Sequence, residues 1–170
     1  YAQGSGDKET KTRKTPSMGA KVYERLAEAQ ELVEAGDTNG AVNVLTALKN
    51  SRNLNAYEIA QVWSFFGYIY YSSDNYPESI KAYEMVLQQP EIPVAMENTT
   101  MYTLAQLHFT QENYSKAEEM LVRWFDSAVD PGPEPYILLG QLYYQLERYR
   151  DAIKPVETAI RLAQESGREI

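Results

Sequence analysis

The sequence predicts an all-α fold, a solenoid of about four helix–turn–helix units. Three observations predict it. Apolar residues recur at i, i+3, i+4 and i+7 along most of the chain, the spacing of one helix face. One pattern of large, small and aromatic residues returns four times. Clusters of turn-forming residues interrupt the periodic segments between the two halves of each copy.

The hardest segment to place is "QVWSFFGYIYYSSDNY", Gln61 to Tyr76. Its aromatic and β-branched residues favour a strand by local propensity. Gly67 in its middle costs a helix about 1 kcal/mol relative to alanine. Yet Trp63, Phe66, Gly67 and Tyr70 follow helical spacing, and Tyr76, Ser79, Tyr83 and Val86 continue it. The pattern returns as Met101, Leu104, Ala105 and His108, then Tyr114, Ala117 and Leu121. A third copy is Tyr136, Leu139, Gly140 and Tyr143, then Tyr149, Ala152, Val156 and Ala159. A weaker copy lies upstream, with Arg25, Glu28, Ala29 and Leu32, then Thr38, Ala41, Leu45 and Leu48. Gly67, Ala105 and Gly140 share one slot, where a small residue lets two helices approach closely, with Ala117 and Ala152 opposite.

These copies resemble the tetratricopeptide repeat (TPR), a helix–turn–helix unit of 34 residues. The resemblance implies a right-handed solenoid spanning about 20–168, with units near 22–55, 56–92, 93–132 and 133–166; composition predicts a basic, polar and disordered leader over 1–19. Unit starts near 22, 60, 98 and 133 give steps of 38, 38 and 35. Four extra residues are one helical turn. Asn55 with Glu58 three residues on reads as a capping box, and Pro93 suits a first turn. The first helices of units 2 and 3 are therefore expected near 56–72 and 93–110. Asp37, Asn75 and Asn113 are expected N-caps of the second helices. "DPGPEP", Asp130 to Pro135, reads as a stiff link, and Pro155 should bend the last helix.

Composition narrows the function. The 170 residues carry a net charge of −8. Residues 1–20 hold Lys8, Lys11, Arg13 and Lys14 against Asp7 and Glu9, so the other 150 carry −10. Such a body repels a phosphate backbone, and nucleic acid is not an expected partner. The basic leader favours acidic surfaces, including the protein's own. No apolar run approaches a membrane span. The chain starts at Tyr1 without a signal peptide, which decides nothing. With no cysteine and one histidine, His108, there is no thiolate zinc site and no cysteine nucleophile. His108 falls in a packing slot and reads as a partly buried structural residue. No nucleotide-binding, metalloprotease or serine-hydrolase motif is present. The carboxylates are spaced as solvated helix faces. No catalysis and no cofactor is expected.

In a TPR stack, one face of each first helix lines a concave groove. Here those positions place Tyr68, Tyr71, Tyr102, Gln106, Phe109, Ile137, Gln141 and Tyr144 in an aromatic, nearly uncharged strip, with Glu134 at one of the slots. Tyrosines flanked by amides suit a peptide, through large contact area, low entropy cost and a hydroxyl for backbone groups. A competing occupant of that face is a further helix or the leader itself. TPR domains that hold chaperone C-termini use a basic clamp in these slots. None of the slots is basic here, so that ligand is not expected.

The stretches "KTRKTPSMGAKVYERLAEAQELVEAGDTNGAVNVL", "YEIAQVWSFFGYIYY", "LAQLHFTQENY" and "GQLYYQLERYRDAIKPVETAIRLAQESG" resemble a bacterial family of periplasmic TPR proteins encoded with TonB-type energy-transduction systems. The resemblance implies an exported accessory of a TonB–ExbB–ExbD complex, with those components or an outer-membrane receptor as partners. It also implies a longer native chain, of which this is an N-terminal piece. An uncovered last helix pair would expose apolar surface, and a homodimer through it is expected. The alternatives are a cytoplasmic TPR adaptor and the recruiting domain of a larger enzyme.

Overall fold

The computed structural model describes Arg13 and residues 16–167. Among these, eight α-helices run in order: α1 (Ala20–Glu34), α2 (Thr38–Lys49), α3 (Ala56–Ser72), α4 (Tyr76–Gln88), α5 (Val94–Thr110), α6 (Tyr114–Ser127), α7 (Pro133–Gln145) and α8 (Tyr149–Glu165). Each helix packs chiefly on its neighbours in sequence, and α1 also touches α3. This is a solenoid, with cores strung along it rather than gathered at one centre.

The strand-like segment is helical throughout α3. Burial of Ala60, Val62, Phe66, Gly67 and Ile69 against the flanking helices outweighs local propensity. The lengthened first helices are present: α3 and α5 each have 17 residues, against 13 in α7. Asn55 and Glu58 form the reciprocal capping box, and the second Glu58 oxygen accepts the Gly19 N–H at 2.8 Å. A buried carboxylate thus ties the start of α1 to the start of α3, satisfied by backbone amides on both sides. Ser17 adds a link, its carbonyl accepting from Asn55 Nδ2 at 2.9 Å. Of the expected leader, residues 1–12, 14 and 15 lie outside the described residues.

Small residues meet twelve positions apart in every unit: Ala29 and Ala41, Gly67 and Ser79, Ala105 and Ala117, Gly140 and Ala152. All but Ala152 are buried. A Cβ on Gly67 would lie 2.7 Å from the Tyr83 ring, and one on Gly140 2.7 Å from a Val156 methyl. Ser79 donates its hydroxyl to the Gly67 carbonyl at 2.8 Å, wholly buried.

The four turns inside units share one geometry. Gly36, Asp74, Glu112 and Glu147 take left-handed backbone, with φ of 81°, 56°, 59° and 58°. The next residue's N–H returns to the carbonyl five positions back: Asp37 to Leu32, Asn75 to Tyr70, Asn113 to His108 and Arg148 to Tyr143. This is the Schellman ending of a helix, used here to launch the following one. It corrects the capping expectation in part. Asp37 accepts from the Gly40 N–H, but Asn75 and Asn113, although at N-cap positions, make no side-chain cap hydrogen bond. All three share one backbone conformation, with ψ of 72°, 68° and 62°, so the conformation does not separate Asp37 from the two asparagines. Asp130 to Gly132 lead into α7, whose first turn takes Pro133 and Pro135, both buried. α8 is continuous from Tyr149 to Glu165 with buried Pro155 inside it.

His108 is more enclosed than its sequence slot implies, at 3% exposure. Its Nδ1 has no hydrogen-bond partner among the described residues, and Nε2 lies 3.8 Å from a Glu84 oxygen. Burial lowers its pKa below 6.5, Glu84 and Glu119 opposing and Lys116 assisting. Below 6.5 the unfolded chain therefore binds the proton first. Stability should hold above about pH 7 and fall as pH drops from 6.5, by at most about 1.4 kcal/mol per pH unit. Thermal unfolding at pH 7.5 and 5.5 checks this. His108→Phe should flatten the difference, and an equal loss in the variant would show that other groups cause it.

Candidate binding face

The eight strip residues all reach the surface. Tyr68, Tyr71 and Tyr144 are 48%, 51% and 63% exposed. Gln106 and Gln141 are also exposed, and Tyr102, Phe109 and Ile137 are half-buried. They come from α3, α5 and α7, the first helices of units 2 to 4.

Three of them are held by one repeated contact. Tyr71, Phe109 and Tyr144 stand near the ends of their helices. Each meets, edge to face, the aromatic that opens the next helix: Tyr76 at 5.8 Å, Tyr114 at 5.5 Å and Tyr149 at 5.3 Å. Interplanar angles are 62°, 63° and 62°. The shared turn geometry explains the uniformity, because it fixes how the opening residue faces back. Such pairs contribute about 0.5–1.5 kcal/mol beyond their burial. The five-residue spacing is visible in the sequence. Unit 1 has Val33 and Thr38 there instead.

The strip also rests on Tyr83 and Tyr136, which the repeat pattern places as packing residues, and on Trp124 and Phe125, which sequence reasoning missed. Tyr83 on α4 lies against Gly67, and its pKa is raised by burial and by the nearby Tyr68 and Tyr71 hydroxyls. Tyr102 meets Trp124 at a tilt of 44° and 5.1 Å between ring centres, and the ladder continues through Phe125 at 5.2 Å to Tyr136 at 4.8 Å. Helices α5, α6 and α7 are thus joined by four rings. Nothing short of the fold brings Tyr102 and Trp124 together, since they lie on different helices.

Among the described residues no cluster of three or more His, Asp or Glu is placed to hold a metal. No helix there is long and apolar enough to cross a membrane.

On α8, Tyr149, Ile153, Val156 and Ile160 form one stripe, from 43% to 57% exposed. Their counterparts on α4 are Tyr76, Ile80, Tyr83 and Leu87, which pack on Leu104 and Leu107 of α5.

The tetratricopeptide repeat profile matches residues 26–91 and 102–167. The chain belongs to the tetratricopeptide repeat family. Two solved structures agree with this TPR architecture. "Crystal structure of MamA" superposes with a TM-score of 0.68 at 17% identity, covering 86% of this chain and 80% of that one. "MamA 41-end from Desulfovibrio magneticus RS-1" gives 0.68 at 18%, covering 88% and 79%. Both likenesses concern the fold. No curated protein sequence matches. TPR solenoids are, as a class, protein-interaction scaffolds rather than catalysts.

Proposed function

We propose that this TPR chain is a non-catalytic scaffold that holds a protein or peptide segment along the face formed by Tyr68, Tyr71, Tyr102, Gln106, Phe109, Ile137, Gln141 and Tyr144. One observation carries the reading: three tyrosines at least 48% exposed stand with two exposed amides on a face where none of the eight residues is charged. Exposed aromatics grouped on one surface are what a partner-binding site offers. The finer assignment, an accessory of a TonB-type system in the periplasm, is supported by the sequence resemblance. A cytoplasmic adaptor and an enzyme's recruiting domain are the alternatives it competes with.

Tyr68→Ala with Tyr144→Ala is the cleaner test, because Tyr102 also supports the ladder. We expect the pair to abolish partner capture in a pull-down from membrane-plus-periplasm extract, with helical circular dichroism unchanged. Recovery of TonB, ExbB, ExbD or an outer-membrane receptor by the parent chain supports the finer assignment. Capture that survives the double substitution contradicts the face.

A second reading concerns self-association. The α8 stripe matches positions that α4 uses to receive a helix, and we propose that a second copy covers it as a homodimer. Light scattering should then give a dimer mass at high protein concentration, and Ile153→Ser with Ile160→Ser a monomer. A monomeric parent chain at those concentrations refutes it.

A further inference from the structure

The chain ahead of α1 crosses the starts of successive first helices, in order. The Gly19 N–H donates to Glu58 in the first turn of α3 at 2.8 Å. The Ser17 carbonyl accepts from Asn55 Nδ2, at the cap of α3, at 2.9 Å. Arg13 donates to the Ile92 carbonyl at 3.1 Å and to a Glu97 oxygen at 2.9 Å, at the start of α5. From Gly19 back towards the N-terminus, the contacts therefore pass from α1 to α3 to α5. The step from Ser17 to Arg13 takes four residues, a reach of at most about 14 Å. The next first helix in that order is α7. A cleft of about 760 Å³ lies between the starts of α5 and α7. The turn that holds Arg13 supplies Val94 and Asn98 to it, the start of α7 supplies Gly132 and Pro135, and Tyr102 and Trp124 line it.

We propose that residues 9–12 of the chain itself, Glu9-Thr10-Lys11-Thr12, continue this path across the cleft from α5 to α7, and that a partner reaching Tyr102 must displace them. The occupant follows from where Arg13 stands and from the chain that precedes it. Two hydrogen bonds fix Arg13 at the α5 side of the cleft, so one further step of four residues reaches α7. A segment tethered there has a high effective concentration, which favours it over a separate peptide of equal affinity. Its composition fits the site. Threonine hydroxyls and backbone amides suit the Asn98, Thr99 and Ser127 groups of the lining. Lys8 and Lys11 outnumber Glu9, and the body's charge of −10 outside residues 1–20 attracts them. The anchor is also reversible. The Arg13 and Glu97 side chains are 38% and 29% exposed, and an ion pair so exposed is weak and screened by salt. The displacement rests on the strip as the partner surface; the placement of the segment does not.

The test uses the intact chain with Trp63→Phe, so that Trp124 is its sole indole, and Thr10→Cys, its sole thiol. A nitroxide joined to that thiol through a disulfide quenches an indole it touches, and reductant removes it. We expect the label to lower Trp124 emission about twofold or more, which an undocked tether of that length would not do. Emission should recover on release of the label. Arg13→Ala should remove most of the quenching, as should salt at about 1 M, while Tyr68→Ala with Tyr144→Ala leaves it unchanged. In the pull-down described above, Arg13→Ala should raise partner capture about threefold, by freeing the competent state. Circular dichroism of each variant verifies the fold. Emission that the label does not alter, or quenching as strong with Arg13→Ala, overturns the path. Quenching accompanied by capture that Arg13→Ala does not raise overturns the displacement. No capture by either chain counts against the strip, and the quenching still decides where the segment lies.

Discussion

Everything in this solenoid depends on how closely the two helices of each unit approach. The contact is made by one small residue on each helix, twelve positions apart, repeated in all four units. In unit 2 it is tightest in chemical terms. The Gly67 carbonyl accepts the buried Ser79 hydroxyl, and the Tyr83 ring occupies the space a Cβ would need. That approach brings the larger residues of the two helices into contact and lets successive pairs stack. A glycine inside a helix is intrinsically unfavourable, so its use at Gly67 and Gly140 reflects packing outweighing propensity.

The uniform approach has a uniform consequence at the turns. Each first helix closes with a left-handed residue, and the following N–H reaches back five positions. The aromatic that opens the second helix then falls on the aromatic near the end of the first, three times over with nearly the same interplanar angle. The candidate face is therefore ordered by the same constraint that orders the core. Half-buried Tyr102 and Phe109 anchor it, and Tyr68 and Tyr144 stand out from it. A partner would meet rings already oriented, with little side-chain entropy left to lose.

Much of this was legible in the sequence, for identifiable reasons. Helical periodicity in "QVWSFFGYIYY" outranked its strand-like composition because a whole buried face votes together. The longer α3 and α5 were readable because Asn55, Glu58 and Pro93 are local signals. The caps at Asn75 and Asn113 misled, although both follow the same left-handed turn as Asp37, which does cap. That turn is hard to see from sequence, since Asp74, Glu112 and Glu147 occupy a position where glycine is usual. The contact between Tyr102 and Trp124 was not legible, because Trp124 lies on another helix and only the fold brings the two rings together. The extent of burial of His108 likewise depends on what α4 and α6 bring over it.

The central claim is that close approach at the small-residue pairs holds the solenoid together. The most direct measurement is the urea unfolding free energy of Gly67→Ala and Gly140→Ala. In an open helix each substitution would stabilise by about 1 kcal/mol, through propensity alone. Close approach predicts the opposite sign, a loss of about 1–2 kcal/mol at each site, because Tyr83 and Val156 must move aside. A gain at both sites would contradict the account. It would mean that the helices tolerate a wider separation, and that the order of the exposed aromatic face arises from something other than their contact.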